Sequence, residues 1–120
     1  MVGTAPLIVI VEDDAATLKA LGRALRAAGF ETAGYASAEA FLASPPESGP
    51  HCMVVDIQLG GMSGLELQRK LKASGSQVPV IVMTAFDDVQ IREEATRIGC
   101  LGYLDKAADL EVLVGLIRSV

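Results

Sequence analysis

Five short apolar runs punctuate the chain: Leu7 to Val11, Glu31 to Tyr35, Cys52 to Val55, Val80 to Met83 and Leu101 to Leu104. The first, third and fourth are unbroken stretches of Val, Ile, Leu, Met and Cys with no polar alternation. Strands of that kind are buried on both faces, as in a parallel sheet covered by helices on either side. The second run carries Glu31 and Gly34 and therefore belongs at a sheet edge.

Between the runs the period changes to that of a helix. Leu18, Leu21, Leu25 and Ala28 recur on one face before Gly29 stops the pattern. Ser37 to Ser44 predicts a short helix ended by Pro45-Pro46. Leu67 and Leu71 follow Gly64, and the stripe Ile91, Ala95 and Ile98 closes at Gly99. Asp109 is placed to cap a last helix with a core face of Leu110, Leu113, Val114 and Ile117. Asp14, and Asp87 with Asp88, are expected to cap the helices that follow them. The pattern is (βα)5, which predicts a doubly wound α/β fold with right-handed crossovers. The strand order 2-1-3-4-5 puts the weak second run at one edge.

Composition narrows the function. The 120 residues fit one domain, residues 1–120, and 51% of them are apolar, too many for a disordered segment. Ten basic against fifteen acidic residues give a formal charge of −5, the wrong sign for direct binding of nucleic-acid phosphates. No apolar run approaches the roughly 18 to 20 residues that span a bilayer. Met1 to Pro6 lacks the features of a signal peptide, so a cytoplasmic location is expected. Cys52 and Cys100 show no metal or redox spacing and are expected as reduced thiols in apolar surroundings. His51 is the single histidine. That argues against a multi-histidine zinc site, and against a Ser-His-Asp triad unless His51 serves in it.

In an open parallel sheet, ligands bind beyond the carboxyl ends of the strands, where the strand order reverses. The first strand runs into Glu12-Asp13-Asp14, the third into Asp56, the fourth into Thr84 and the fifth into Lys106. One crevice thus collects carboxylates, a hydroxyl and an ammonium. Two carboxylates about 4 Å apart repel by roughly 4 kcal/mol at an effective dielectric near 20, so the cluster needs a cation. Oxygen donors with room for water suit Mg²⁺, and Lys106 adds a second positive charge. Asp56 is the expected nucleophile, since carboxylates form aspartyl phosphates.

The blocks Val11-Glu12-Asp13-Asp14, Val54 to Gly64, Val82-Met83-Thr84-Ala85 and Gly102 to Lys106 resemble the receiver domain of two-component response regulators, a flavodoxin-like fold. The resemblance covers essentially the whole chain. It implies a signalling switch rather than an enzyme, one that assists its own phosphorylation and dephosphorylation. Asp56 would accept a phosphoryl group from a sensor histidine kinase or a phosphotransfer protein. Mg²⁺ would be held by Asp13, Asp56 and the backbone carbonyl of Gln58, with Glu12 acting directly or through water. Thr84 and Lys106 would bind phosphoryl oxygens, and Tyr103 matches the aromatic position that turns inward on activation. Gln58 and Phe86 occupy positions that tune phosphoryl lifetime, and a shielding Phe86 ring would slow hydrolysis.

Two departures stand out. Ala107 and Gly60 occupy places where receivers usually carry proline. A cis bond before alanine costs about 2.5 to 4 kcal/mol, so a trans peptide or a remodelled loop is expected after Lys106. Gly60-Gly61 is expected to loosen the loop after Asp56.

Val112, Leu116 and Val120 form a second apolar stripe on the last helix, expected nearly opposite its core face. With the fourth helix and fifth strand it would pair with a second receiver or with a C-terminal output domain. Other classes fit less well. A haloacid-dehalogenase-like phosphohydrolase needs a second acid two residues after its nucleophile, where this chain has Gln58. An FMN carrier needs a phosphate loop where Glu12-Asp13-Asp14 stands, and no Gly-x4-Gly-Lys-Ser/Thr loop is present. An interaction module that is never phosphorylated remains an alternative if the altered loops disable the site.

Overall fold

The computed structural model describes residues 5–120. Its elements alternate strictly: β1 (Leu7–Val11), α1 (Ala15–Ala27), β2 (Glu31–Tyr35), α2 (Ala38–Ala43), β3 (Cys52–Asp56), α3 (Gly64–Ala73), β4 (Val80–Thr84), α4 (Val89–Ile98), β5 (Gly102–Asp105) and α5 (Leu110–Arg118). All strand pairs are parallel, and the order is the expected β2-β1-β3-β4-β5, with the weak second run at one edge.

Period-two alternation along continuously apolar strands explains the two layers. Val9, Val11, Met53, Val55, Val80 and Val82 face one way, onto Ala38 and Phe41 of α2, Leu65 and Leu67 of α3 and Ala95 of α4. Ile8, Ile10, Cys52, Val54, Ile81 and Met83 face the other way, onto Leu25 of α1 and Leu113, Val114 and Ile117 of α5. Every residue of β3 and β4 is buried. A fully buried Val, Ile or Leu contributes about 1.5 to 3 kcal/mol, so polar residues within these strands would be costly without a purpose. β2 is the exposed edge, with Glu31 and Gly34 open to solvent.

Each helix begins on a side-chain cap: Asp14, Ser37, Ser63, Asp88 and Asp109 each accept a hydrogen bond from a backbone N–H of the first turn. Asp87 does not cap α4; it pairs with Arg92 at 2.9 Å while Asp88 takes Gln90 N and Ile91 N. Gly99 ends α4 in the left-handed region at φ 109°. Both cysteines are free, Cys52 buried and Cys100 half-buried, and burial pushes the Cys52 thiol up to about 11.

The last helix differs from expectation. Val112 is about half exposed, as is Val120, which lies past the end of α5 at Arg118 and not on the helix, but Leu116 is partly buried and packs against the α1/α5 core. A Cβ on Gly102 would come within 2.6 Å of a Leu116 methyl, so Leu116 seats on β5. The reason is helical geometry: successive residues lie about 100° apart, so a stripe one residue off the core face flanks it rather than opposing it. Leu110, expected in the core, is exposed.

Candidate functional site

Register builds the site. Val11 lies beside Val55, Asp56 beside Met83 and Thr84 beside Asp105. The next residues in line, Glu12, Asp56, Thr84 and Lys106, therefore arrive at one sheet edge without any long-range fitting. β3 and β4 run one residue further than the apolar runs, so Asp56 and Thr84 are the last residues of their strands. Glu12, Asp56 and Thr84 are buried, the polar exceptions in an apolar sheet.

Lys106 binds the cluster together. Its Nζ stands 2.8 Å from Asp56 Oδ2 and 2.9 Å from Glu12 Oε2. The peptide after Lys106 is not cis, and Ala107 N–H donates to Asp105 Oδ1 at 2.8 Å. Burial lowers the affinity of the Lys106 ammonium for its proton, but the pairs with Asp56 and Glu12 outweigh it and hold its pKa above the usual lysine value. Burial raises the Glu12 carboxyl above the ordinary range, with Asp56 adding to the rise, against the opposing pull of Lys106 and the Asp14 N–H.

Glu12, Asp13 and Asp56 each offer a carboxylate oxygen within 4.8 Å of the others. Two of the three are buried and Asp13 is exposed. Three anionic oxygens facing an open side match the hard-donor, partly hydrated shell of Mg²⁺. Gln58 lies beside them, its N–H donating to Asp56 Oδ1 at 3.1 Å, so both oxygens of Asp56 are held. Gly64 comes so close to the Asp56 backbone that a Cβ there would stand 2.9 Å from Asp56 C; only glycine fits.

The remaining site residues lie further along the edge. Thr84 Oγ1 donates to Phe86 O at 2.8 Å and accepts from Phe86 N at 3.1 Å, so the hydroxyl is engaged by its own loop. Phe86 is 71% exposed, and its ring stands in solvent instead of covering the crevice. The shielding expected of it is absent here. Tyr103 packs against the core between the sheet and α4, and its hydroxyl is buried without a hydrogen-bond partner. Burial raises its pKa. The Arg92 guanidinium lies over its ring at 4.8 Å, a cation–π contact that sequence reasoning missed because nothing in the spacing pairs α4 with β5. Glu39 on α2 was missed for the same reason: its carboxylate accepts from Met62 N at 3.1 Å in the loop after β3.

These features define a doubly wound α/β domain with an acid–lysine crevice at its topological switch point. The family model described as the response regulator receiver domain matches residues 8–118, and the chain belongs to that family. It is 34% identical over 115 residues to the response regulator protein TodT of Pseudomonas putida, covering 96% of this chain and 51% of TodT. It is 34% identical over 112 residues to the transcriptional regulatory protein FixJ of Bradyrhizobium diazoefficiens, covering 93% of this chain and 55% of FixJ. The chain thus spans about half the length of these curated relatives. Among solved structures, a crystal structure of FixJ-N superposes with a TM-score of 0.87 at 32% identity, covering 98% of this chain and 93% of that one. A response regulator receiver protein from Pseudomonas putida superposes with a TM-score of 0.89 at 28% identity, covering 99% and 100%. Receiver domains are signalling switches, and among the described residues no helix is long and apolar enough to cross a membrane.

Proposed function

We propose that this chain is a phosphorylation-dependent switch in which Asp56 accepts a phosphoryl group from a histidine kinase or a phosphotransfer protein. The observation that carries the reading is Lys106, whose ammonium lies within 2.9 Å of both Asp56 and Glu12 at the aligned strand ends. An Asp56 oxygen forms the new P–O bond while the P–N bond of the donor phosphohistidine breaks and its electron pair stays on the imidazole. Mg²⁺, held by Asp13, Asp56 and the Gln58 carbonyl with Glu12 directly or through water, would neutralise charge on the transferring group.

The protein's own groups do the rest. Lys106 gives up a carboxylate contact for a phosphoryl oxygen. Thr84 releases Phe86 and donates its hydroxyl to another. A hydrogen bond to a charged group is worth about 1.5 to 3 kcal/mol. Carrying a switch from 1:99 to 99:1 takes roughly 5.5 kcal/mol, so two or three such contacts suffice. β4 and β5 pass the displacement to α4 and α5, with Tyr103 as its reporter. There a second receiver or an output domain would dock, using Val112 and Val120 at the rim and Leu116 as the support beneath.

Intact-mass measurement after incubation with acetyl phosphate and Mg²⁺ tests the reading. The native chain gains one phosphoryl group, chelator prevents the gain, and Asp56→Asn takes none while keeping its fold. Full labelling of Asp56→Asn contradicts the assignment. For the docking face, Val112→Glu is expected to reduce self-association or output-domain binding in the phosphorylated state; unchanged association in both states rules that face out.

A further inference from the structure

The loop between β3 and α3 carries Gln58, yet the segment Gly60-Gly61 gives it little intrinsic stiffness. Its two ends are fixed locally, by Gln58 N–H on Asp56 Oδ1 and by Gly64 N–H on the Ile57 carbonyl at 3.0 Å. Its middle is held from outside. Gly60 N–H donates to Asp13 Oδ2 at 3.3 Å, and Met62 N–H donates to Glu39 Oε2 at 3.1 Å. Glu39 belongs to the first turn of α2, an element with no part in the acidic cluster.

We propose that Glu39 is a positioning residue for the Asp56 site, holding the β3–α3 loop from α2 so that Asp13 and Gln58 keep their places beside Asp56. This rests on the reading of Asp56 as the phosphoryl acceptor.

Three observations support it independently of that chemistry. The Glu39 side chain is exposed, where an acid on a short helix would ordinarily be solvated, yet it reaches across 23 residues to a loop amide. The Met62 N–H, and after it the N–H of Glu39 itself, hold the carboxyl below the usual carboxylate range. Gly61 makes the reach possible: at φ 79°, a Cβ there would collide with Glu39 Oε2 and stand 3.3 Å from its Cδ. A side chain at Gly61 would push the carboxylate off the loop.

The argument for function is geometric. Groups that orient a ligand to a metal commonly change its affinity about 10- to 100-fold when removed. Glu39 acts one step further out, through the loop that carries one expected ligand and touches another.

The test combines amide hydrogen exchange with phosphoryl labelling on the intact chain. In Glu39→Ala the Met62 amide is expected to exchange about tenfold faster, because it loses a charge-assisted bond. The Mg²⁺ concentration giving half-maximal labelling by acetyl phosphate should rise about tenfold. Saturating Mg²⁺ should recover most of the rate. Glu39→Gln keeps an oxygen acceptor and should return both readouts to within about threefold of the native chain. An unchanged Met62 amide in Glu39→Ala overturns the proposal. So does an unmoved Mg²⁺ midpoint, or a Glu39→Gln chain as impaired as Glu39→Ala. If the native chain takes no label at all, the acceptor reading has failed and this one falls with it. A labelled native chain beside an unaffected Glu39→Ala refutes the role of Glu39 alone.

Discussion

The loop that leaves β3 and the loop that leaves β4 share one edge of the sheet, but their anchors come from different places. Residues 57–63 are tied to β4 through Ile57 N–H on the Met83 carbonyl, to β1's following loop through Asp13 and to α2 through Glu39. Residues 85–88 are all exposed, and the hydrogen bonds that hold them are local: Thr84 with Phe86, Asp87 with Arg92, and Asp88 with the first turn of α4. A segment bonded to distant elements moves only if those elements move. A segment bonded to itself and to the next helix moves as one piece with that helix. The first arrangement suits a scaffold that keeps the acidic cluster in place; the second suits a lever that carries α4.

The sharpest way to disturb the edge that both loops share is to remove its cation. Lys106→Met leaves Glu12 and Asp56 buried without a counter-charge. Removing one partner of a buried pair typically costs about 3 to 5 kcal/mol, and Lys106, with a quarter of its side chain exposed, belongs at the lower end. Urea unfolding at pH 7 should show a loss of about 3 kcal/mol, with part of it restored by Mg²⁺. An unchanged midpoint would mean that the ion pairs add nothing to the fold. The sign with pH is also fixed. The Lys106 pKa is raised in the fold, so its contribution is fully present below the ordinary value of 10.5 and is lost as pH rises through the folded value.

Glu12 predicts a smaller effect of opposite origin. Its carboxyl is raised above 4.5, so the folded state holds that proton more tightly than the unfolded chain does. Stability without Mg²⁺ should therefore fall as pH rises from about 4.5 through the folded value, and Glu12→Gln should flatten that limb. Denaturant titrations across this range, with Asp56 kept native, measure it. A limb that is identical in the variant assigns the slope to other acids.

Much of this was legible in the sequence, and the boundary is physical. Period-two and period-3.6 patterns are local, so β1 and β2 fall at their predicted limits, and parallel pairing, though not the strand order, follows from doubly buried runs. The edge cluster was legible because strand ends in a parallel sheet converge whatever the loops do. What escaped is what depends on side chains meeting across elements: Glu39 on Met62, Arg92 over Tyr103, Leu116 on Gly102. The two non-proline positions show the same limit. Gly60 and Ala107 each have an N–H that proline lacks, and each spends it on a carboxylate, of Asp13 and of Asp105. Composition shows that the donor exists, but only the fold shows which acceptor it finds.

Asp88→Ala tests the lever at its hinge. Asp88 Oδ1 accepts from Gln90 N at 2.8 Å and Ile91 N at 3.2 Å, and losing such a cap costs about 1 kcal/mol. Hydrogen exchange should speed up through the first turn of α4 while the amides of Gly60 and Met62 keep their native rates. Matching acceleration in both loops would show that the two are mechanically one unit.

Thr84→Val makes the finest cut. The change preserves the β-branched shape that packs at the end of β4 but removes a hydroxyl that both gives to and takes from Phe86. The two bonds lie in a partly exposed turn where water replaces them, so the global loss should stay near 0.5 to 1 kcal/mol. The local effect should be larger than the global one: the Phe86 amide loses its acceptor and exchanges about tenfold faster. The β3–α3 loop should not respond, since its tie to β4, Ile57 N–H on the Met83 carbonyl, does not use the Thr84 hydroxyl. If the Met62 amide accelerates along with Phe86, strain is passing from β4 into the loop after β3, and the division between scaffold and lever is wrong.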